Sequence, residues 1–173
     1  MSITIDNIVV SGSLGQKIKL EDLITMPNFS YDPEFYHGGY LKLSKYTSTI
    51  YSSGKYIIPG IQSIDDIELN HNELIDSLRE FIDINLIEKA VIKNIVAHST
   101  LDHPINLAKK FTELSTNINC NVTYEPEVFP GLCIKMDIGS SNVFSSGKYL
   151  LLGTKTFEQL DELNNKVRQL IDQ

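Results

Sequence analysis

Four histidines and two cysteines are the groups with which this chain could do acid–base or nucleophilic chemistry near neutral pH. His98 stands close to Asp102 and His103, a spacing from which an acid–base pair could be built, and His37 sits in a loop segment. No nucleophile motif, Gly-rich phosphate loop or HExxH metal spacing accompanies them. The DHP at 102–104 reads instead as a turn entering a helix. Cys120 and Cys133 have neither CxxC nor His-paired spacing, so they are expected as buried free thiols rather than a disulfide or a metal site. The expectation is a binding protein with no catalytic residue, no metal and no cofactor.

Lysine chemistry is better organised. The formal net charge of -7 argues at first against a phosphate-bearing partner. Residues 62–88, however, hold eight acids and one base, which is the whole net charge, and elsewhere 14 acids balance 14 bases. Residues 36–61 carry three lysines and no acid, and 128–155 carry three lysines against Asp137 alone. Acid is confined to one segment, and two others are locally basic.

Those two basic segments are copies of each other. YDPEFYHGGYLKLSKYTSTIYSSGKYIIPG (31–60) and YEPEVFPGLCIKMDIGSSNVFSSGKYLLLG (124–153) agree, ungapped, at twelve of thirty positions. IDNIVVSGSL (5–14) likewise reappears as IKNIVAHSTL (92–101). The offset grows from 87 to 93 residues between these pairs, so the second copy carries six extra residues, mostly in INLAKKFTELSTNINC, which lengthens a helix there. Two repeats, 1–88 and 89–173, account for the chain.

Each repeat must place its polar groups with the same elements: a strand, a helix, several short strands bounded by Pro, Gly and Ser, then a long helix. Alternation in Leu41-Lys42-Leu43 and the β-branched and aromatic run Lys55-Tyr56-Ile57-Ile58 support strands. SSGK at 52–55 and 145–148 predicts two tight hairpin turns. Ile64, Ile67, Leu74, Leu78 and Phe81 form an apolar stripe on one long helix; Phe157, Leu160, Leu163, Val167 and Leu170 form one on the other, with Ser63 and Thr156 as N-caps. A one-striped helix covers one face of an antiparallel sheet and leaves the opposite face free. The expected class is α+β, with an exposed, quasi-twofold, lysine-bearing sheet face and the acids on the helical side. No apolar run approaches the roughly 20 residues that span a bilayer, so a soluble intracellular protein without a membrane partner is expected.

NIV opening each repeat, YEPExFPG at 124–131 with its copy YDPEFYHGG, and YSSGK or FSSGK running into an aliphatic strand that ends in Gly together resemble the TATA-binding protein family. The likeness covers nearly the whole chain. It implies a pseudo-twofold saddle, two repeats forming one curved antiparallel sheet with helices on the convex side. Members of that family are themselves a standing example of minor-groove binding with inserted side chains, so this mode comes with the resemblance.

On that resemblance the wedge positions fall on Tyr36, Tyr51, Phe129 and Phe144. Without it, an aromatic ahead of a hairpin is more often packing. Tyrosine brings a hydroxyl whose unpaired burial costs on the order of 1–3 kcal/mol, so the second repeat is expected to kink DNA more firmly. Asn7 and Asn94 match asparagines near the pseudo-dyad, whose amides can donate to adenine N3 or thymine O2, with Val9 and Val96 two residues on along the same strand face. Lys42 and Lys135 stand where the family usually has phosphate-binding arginines, a change that keeps charge and loses the bidentate fork. Lys55 and Lys148 follow the SSG turns beside Ser53 and Ser146 as phosphate contacts, and Ile57 and Leu150 lie on the DNA face.

The Pro-containing loops carry Asp32 and Glu34, then Glu125 and Glu127; the last two match the docking site of a transcription factor IIB-type protein, the alternative being plain solubilising charge. Thr49 and Asn142 replace the usual leucines, and Pro59 and Leu152 the usual threonines, which puts a standard TATA preference in doubt. Pro59, lacking a ladder donor, is expected at the end of its strand. The implied function is a general transcription factor that binds and bends A/T-rich promoter DNA and recruits a IIB-type protein and RNA polymerase. It would be monomeric on DNA, in the archaeal nucleoid and cytoplasm or in a eukaryotic or viral host's nucleus. The alternative is a protein-interaction module that keeps the saddle and has lost DNA readout.

Overall fold

Alternation of covered and uncovered side chains along each short strand organises the protein. The computed structural model describes residues 2–117 and 119–172; Ile118, inside the lengthened segment of the second repeat, lies outside them. The chain divides into two compact units, Asn7–Lys93, and Asn94–Gln173 together with Met1–Asp6.

In the first unit β1 (Thr4–Ser13, whose residues up to Asp6 belong to the other unit), a 3-10 turn at Leu20–Thr25, β2 (Phe29–Ser30), β3 (Gly38–Lys42), β4 (Thr47–Tyr51), β5 (Lys55–Ile61) and α1 (Asp65–Leu78) follow one another, with a second 3-10 turn at Ile84–Leu86. The strands line up antiparallel as β2-β3-β4-β5-β1. In the second unit β6 (Val91–Thr100, entering the unit at Asn94), α2 (Leu107–Leu114), β7 (Asn121–Thr123), β8 (Leu132–Met136), β9 (Gly139–Val143), β10 (Lys148–Thr154) and α3 (Phe157–Ile171) build the order β6-β10-β9-β8-β7. The class is α+β, as the repeat pattern implies.

One row of side chains across each sheet is core. Ile8, Val10, Leu41, Ile50, Tyr56, Ile58 and Ile61 are fully buried, as are Leu74 and Leu78 of α1. Their counterparts Ile134, Val143, Leu151, Leu163 and Val167 are fully buried in the second unit. Each such aliphatic side chain is worth about 1.5–3 kcal/mol of burial, so the helix stripes hold the helices to the sheets. The central tyrosine of each core carries its hydroxyl to the helix above: Tyr56 bonds His71 Nδ1 of α1, and Tyr149 donates to Asn164 Oδ1 of α3 at 2.8 Å. Residues 71 and 164 are repeat partners, so histidine and asparagine perform one structural task.

Several sequence expectations are corrected. Ile64 is 58% exposed and Ser63 caps nothing with its side chain; Asp66 ties the start of α1 to Lys45 and Tyr46, leaving Ile64 turned outward. Phe81 lies past the helix end in a turn on Leu78. On α3 the stripe runs Leu160, Leu163, Val167 and Ile171, with Leu170 only half-buried, because the last apolar step is four residues and not three. Thr156 does cap α3, accepting the Gln159 N–H at 3.2 Å. The helix expected early in the first repeat is the 3-10 turn at Leu20–Thr25. Pro59 lies inside β5, where β5 has two residues against one of β1; the missing donor falls where the ladder is already interrupted, which lets the strand continue. Cys120 and Cys133 are free thiols as expected, but half-buried.

Candidate nucleic-acid interface

The face of each sheet opposite its helix holds the other parity of each strand. In the first unit Tyr40, Thr49, Ile57 and Ser11 form a row through the pairs Tyr40↔Thr49, Thr49↔Ile57 and Ser11↔Ile57. In the second, Cys133, Asn142, Leu150 and His98 form the equivalent row. Side chains of both rows are exposed or half-buried. Within each unit, Asn7, Val9 and Ile57, or Asn94, Val96 and Leu150, are half-buried on this parity.

Asn7 is oriented by its surroundings. Its Oδ1 accepts the Gly60 N–H at 2.8 Å, so the amide NH2, a donor, is the part left to face a ligand. Asn94 has no side-chain bond among the described residues.

The four aromatic residues expected as wedges pair at the uncovered side of each unit. Phe129 and Phe144 meet edge to face at 5.9 Å between centroids, and Tyr36 and Tyr51 likewise at 6.3 Å. Tyr40 stacks on Tyr36 at 5.7 Å. The Tyr36 and Tyr51 hydroxyls lie 2.8 Å apart, and this hydrogen bond, with burial, raises the Tyr51 hydroxyl to about 12. Each hydroxyl partly satisfies the other. The expected penalty for a tyrosine wedge is thereby reduced, since the pair needs one further acceptor and not two.

Sequence reasoning missed the residues beneath the rings. A Cβ on Gly38 would lie 2.9 Å from Tyr36 and 3.1 Å from Tyr51; one on Gly131 would lie 2.6 Å from Phe129 and 3.3 Å from Phe144. Glycine at this place leaves room for each ring pair at the start of β3 or β8. The signal was present, since Gly38 and Gly131 are the glycines that YHGG and FPG share, but only the pairing shows what they seat.

Similar local turns carry Tyr36 and Phe129. The N–H groups of Phe35 and Tyr36 donate to Asp32 O at 3.2 and 3.0 Å, and those of Val128 and Phe129 to Glu125 O at 2.9 Å each. Asp32 Oδ1 accepts the Glu34 N–H at 3.0 Å. Glu125 and Glu127 are exposed without an ion pair among the described residues. Phe35 and Val128, immediately before Tyr36 and Phe129, are 88% and 81% exposed.

Lys42, Lys55, Lys135 and Lys148 are exposed, and none meets a carboxylate among the described residues, whereas Lys45 is taken by Asp66. In the SSGK turns Gly54 and Gly147 adopt φ of +82° and +89°, the left-handed region that glycine enters freely. Ser53 and Ser146 accept the N–H of Lys55 and Lys148 at 3.4 Å each, which leaves their hydroxyl hydrogens to donate outward. The uncovered side of each unit therefore offers cations, hydroxyl donors and apolar area. His103 pairs with Asp102 on the exposed 102–104 turn, and its Nε2 lies 3.7 Å from Asp172 past the end of α3, so the ring is held between two exposed carboxylates. No helix among the described residues is long and apolar enough to cross a membrane.

Comparison with known proteins agrees with this geometry. The family model described as "Transcription factor TFIID (or TATA-binding protein, TBP)" matches residues 2–81 and 89–173. The TATA-box-binding protein C of Halobacterium salinarum is 33% identical over 99% of this chain and 100% of its own length, and the TATA-box-binding protein of Sulfolobus acidocaldarius 34% identical over 98% and 85%. Among solved structures, Methanococcus jannaschii TBP superposes with a TM-score of 0.83 at 30% identity, covering 99% of each chain. With both repeats matched and full-length relatives above 30% identity, this chain belongs to the TATA-binding protein family.

Proposed function

We propose that the chain is a general transcription factor that binds A/T-rich promoter DNA through the minor groove, bends it, and recruits a transcription factor IIB-type protein. The observation that carries this is the duplicated seat: Tyr36 and Tyr51 over Gly38, and Phe129 and Phe144 over Gly131, on the sheet faces the helices leave free. Inserted rings part base steps and kink the duplex, while Asn7, Val9, Ile57, Asn94, Val96 and Leu150 line a groove that presents mainly acceptors at A·T pairs. Lys42, Lys55, Lys135 and Lys148, with Ser53 and Ser146, bind the phosphates at the edges. The repeats are 1–88 and 89–173, and one copy of the chain occupies one site.

Net negative charge does not oppose this. Asp65, Asp66, Glu68, Glu73 and Asp76 all lie on α1, over the covered face, so the lysines act locally. Glu125 and Glu127, exposed on the second Pro-containing loop, are the contact offered to the IIB-type partner, and RNA polymerase joins through that assembly. Thr49 and Asn142 put polar groups in the middle of the two uncovered rows, which favours sites that depart from a plain TATA box.

Energy transfer between dyes at the two ends of an A/T-rich duplex tests the proposal. Bending that weakens steeply with salt supports it, the four lysines alone contributing about -3.6 to the slope of log affinity against log salt. A duplex that stays straight at low salt, with and without a IIB-type protein, would leave the chain a protein-interaction module.

A further inference from the structure

The two uncovered rows differ at one end. Where the first unit places Ser11 opposite Ile57, the second places His98 opposite Leu150. His98 shares its strand face with Asn94 and Val96, and its side chain is 25% exposed. Its Nδ1 lies 2.8 and 2.9 Å from the two carboxylate oxygens of Asp6. A carboxylate only accepts, so Nδ1 carries a proton and donates it; in the neutral ring Nε2 is then a bare acceptor. Nε2 has no hydrogen-bond partner among the described residues.

The minor groove makes such a tautomer informative. A·T pairs in either orientation show only the acceptors adenine N3 and thymine O2, whereas a G·C pair adds the guanine N2 amino donor. We propose that His98, held by Asp6, is a specificity-determining residue that reads one base pair, its neutral Nε2 accepting from guanine N2. It would make this chain's site asymmetric, with a G·C pair favoured at one position under the second repeat. This rests on the minor-groove reading above.

A second proton reverses the preference. Added at Nε2, it turns the acceptor into a donor that suits adenine N3 or thymine O2 and repels the guanine amino group. Asp6 is the charged group facing the ring from the start of β1. From β10 the ring faces Leu150, and Lys148 lies two residues along, opposite Thr100. Lys93 stands on β6 itself, and Asn142 and Cys133 complete the row.

The experiment is a competition series of duplexes in which each A·T pair of a bound site is replaced in turn by G·C, run with the full chain and with His98→Ala at pH 8 and pH 5.5. At pH 8 one position should tolerate G·C about three- to tenfold better with the parent chain than with His98→Ala, the worth of one net hydrogen bond, and that advantage should vanish at pH 5.5. Nitrogen-15 correlation spectra of the parent at pH 8 should show the proton on Nδ1, and Asp6→Ala should release it. A parent scan that matches His98→Ala at every position, or a position whose preference ignores pH, overturns the inference. If His98→Ala does not fold, the parent's pH comparison alone decides. A parent that binds and bends duplexes with a flat scan defeats this inference only, and a parent that binds no duplex defeats the minor-groove reading with it.

Discussion

Replacing Gly131 by alanine separates the seating of the Phe129 and Phe144 rings, the proposed wedge of the second repeat, from the stability of the sheet. The added Cβ would lie 2.6 Å from Phe129 Cε1, 3.2 Å from its Cζ and 3.3 Å from Phe144 Cε1. Carbon atoms in ordinary contact sit about 3.5–4.0 Å apart, so the Phe129 ring must retreat by roughly 1 Å. Gly131 is not among the residues with positive φ, so the backbone accepts alanine without strain. What must move is the far end of a half-buried side chain, at about 0.5–1.5 kcal/mol for an off-rotamer ring. The lower backbone entropy of the unfolded alanine chain returns about 0.4–1 kcal/mol. Thermal unfolding should therefore shift by no more than about 4 °C. On DNA the displaced ring no longer meets its base step, and a loss of about 1–2 kcal/mol lowers affinity roughly 5- to 30-fold, with the bend reduced in the same assay. Bending and affinity equal to the parent's, in a variant shown to be folded, would refute the idea that Gly131 seats a wedge.

Other perturbations probe other parts. Tyr36→Phe together with Tyr51→Phe removes the hydroxyl pair that must be desolvated on insertion, and should tighten A/T-rich DNA binding by up to about tenfold in a fluorescence titration. Lys55→Ala and Lys148→Ala should each reduce the salt slope by about 0.9 and weaken all sequences alike, read from titrations at several ionic strengths. His71 has its pKa lowered by burial, so the unfolded chain binds the proton more readily than the folded one. Its contribution is fully present above the ordinary histidine value of about 6.5 and declines as pH falls below it. His71→Asn, copying Asn164, should flatten the fall in melting temperature between pH 7.5 and pH 5.5.

The repeat was legible because its signals are local. SSGK needs only four residues to specify a turn with a left-handed glycine, and Thr156 announces the N-cap of α3 by itself. The proposed wedge positions and their lysines came from the family resemblance, carried onto motifs that recur in both halves. What escaped depends on partners distant in sequence. Pro59 looks like a strand terminator until the two-against-one pairing with β1 is seen. Ile64 fits the apolar stripe of α1, but the tie from Asp66 to Lys45 and Tyr46, about twenty residues upstream, governs where the helix begins. His71 and Asn164 share no chemical label, and only the hydroxyls of Tyr56 and Tyr149 reveal their common task. His98 read as a fragment of an acid–base group with Asp102, yet its partner is Asp6, 92 residues away.

Methyl-resolved spectroscopy during titration with an A/T-rich duplex tests most directly which surface meets DNA. Ile57, Leu150, Val9 and Val96, all half-buried on the uncovered faces, should shift strongly at stoichiometric duplex, while Leu69, 64% exposed on α1, should stay in place. Shifts concentrated at Leu69 with Ile57 and Leu150 unmoved would contradict the account.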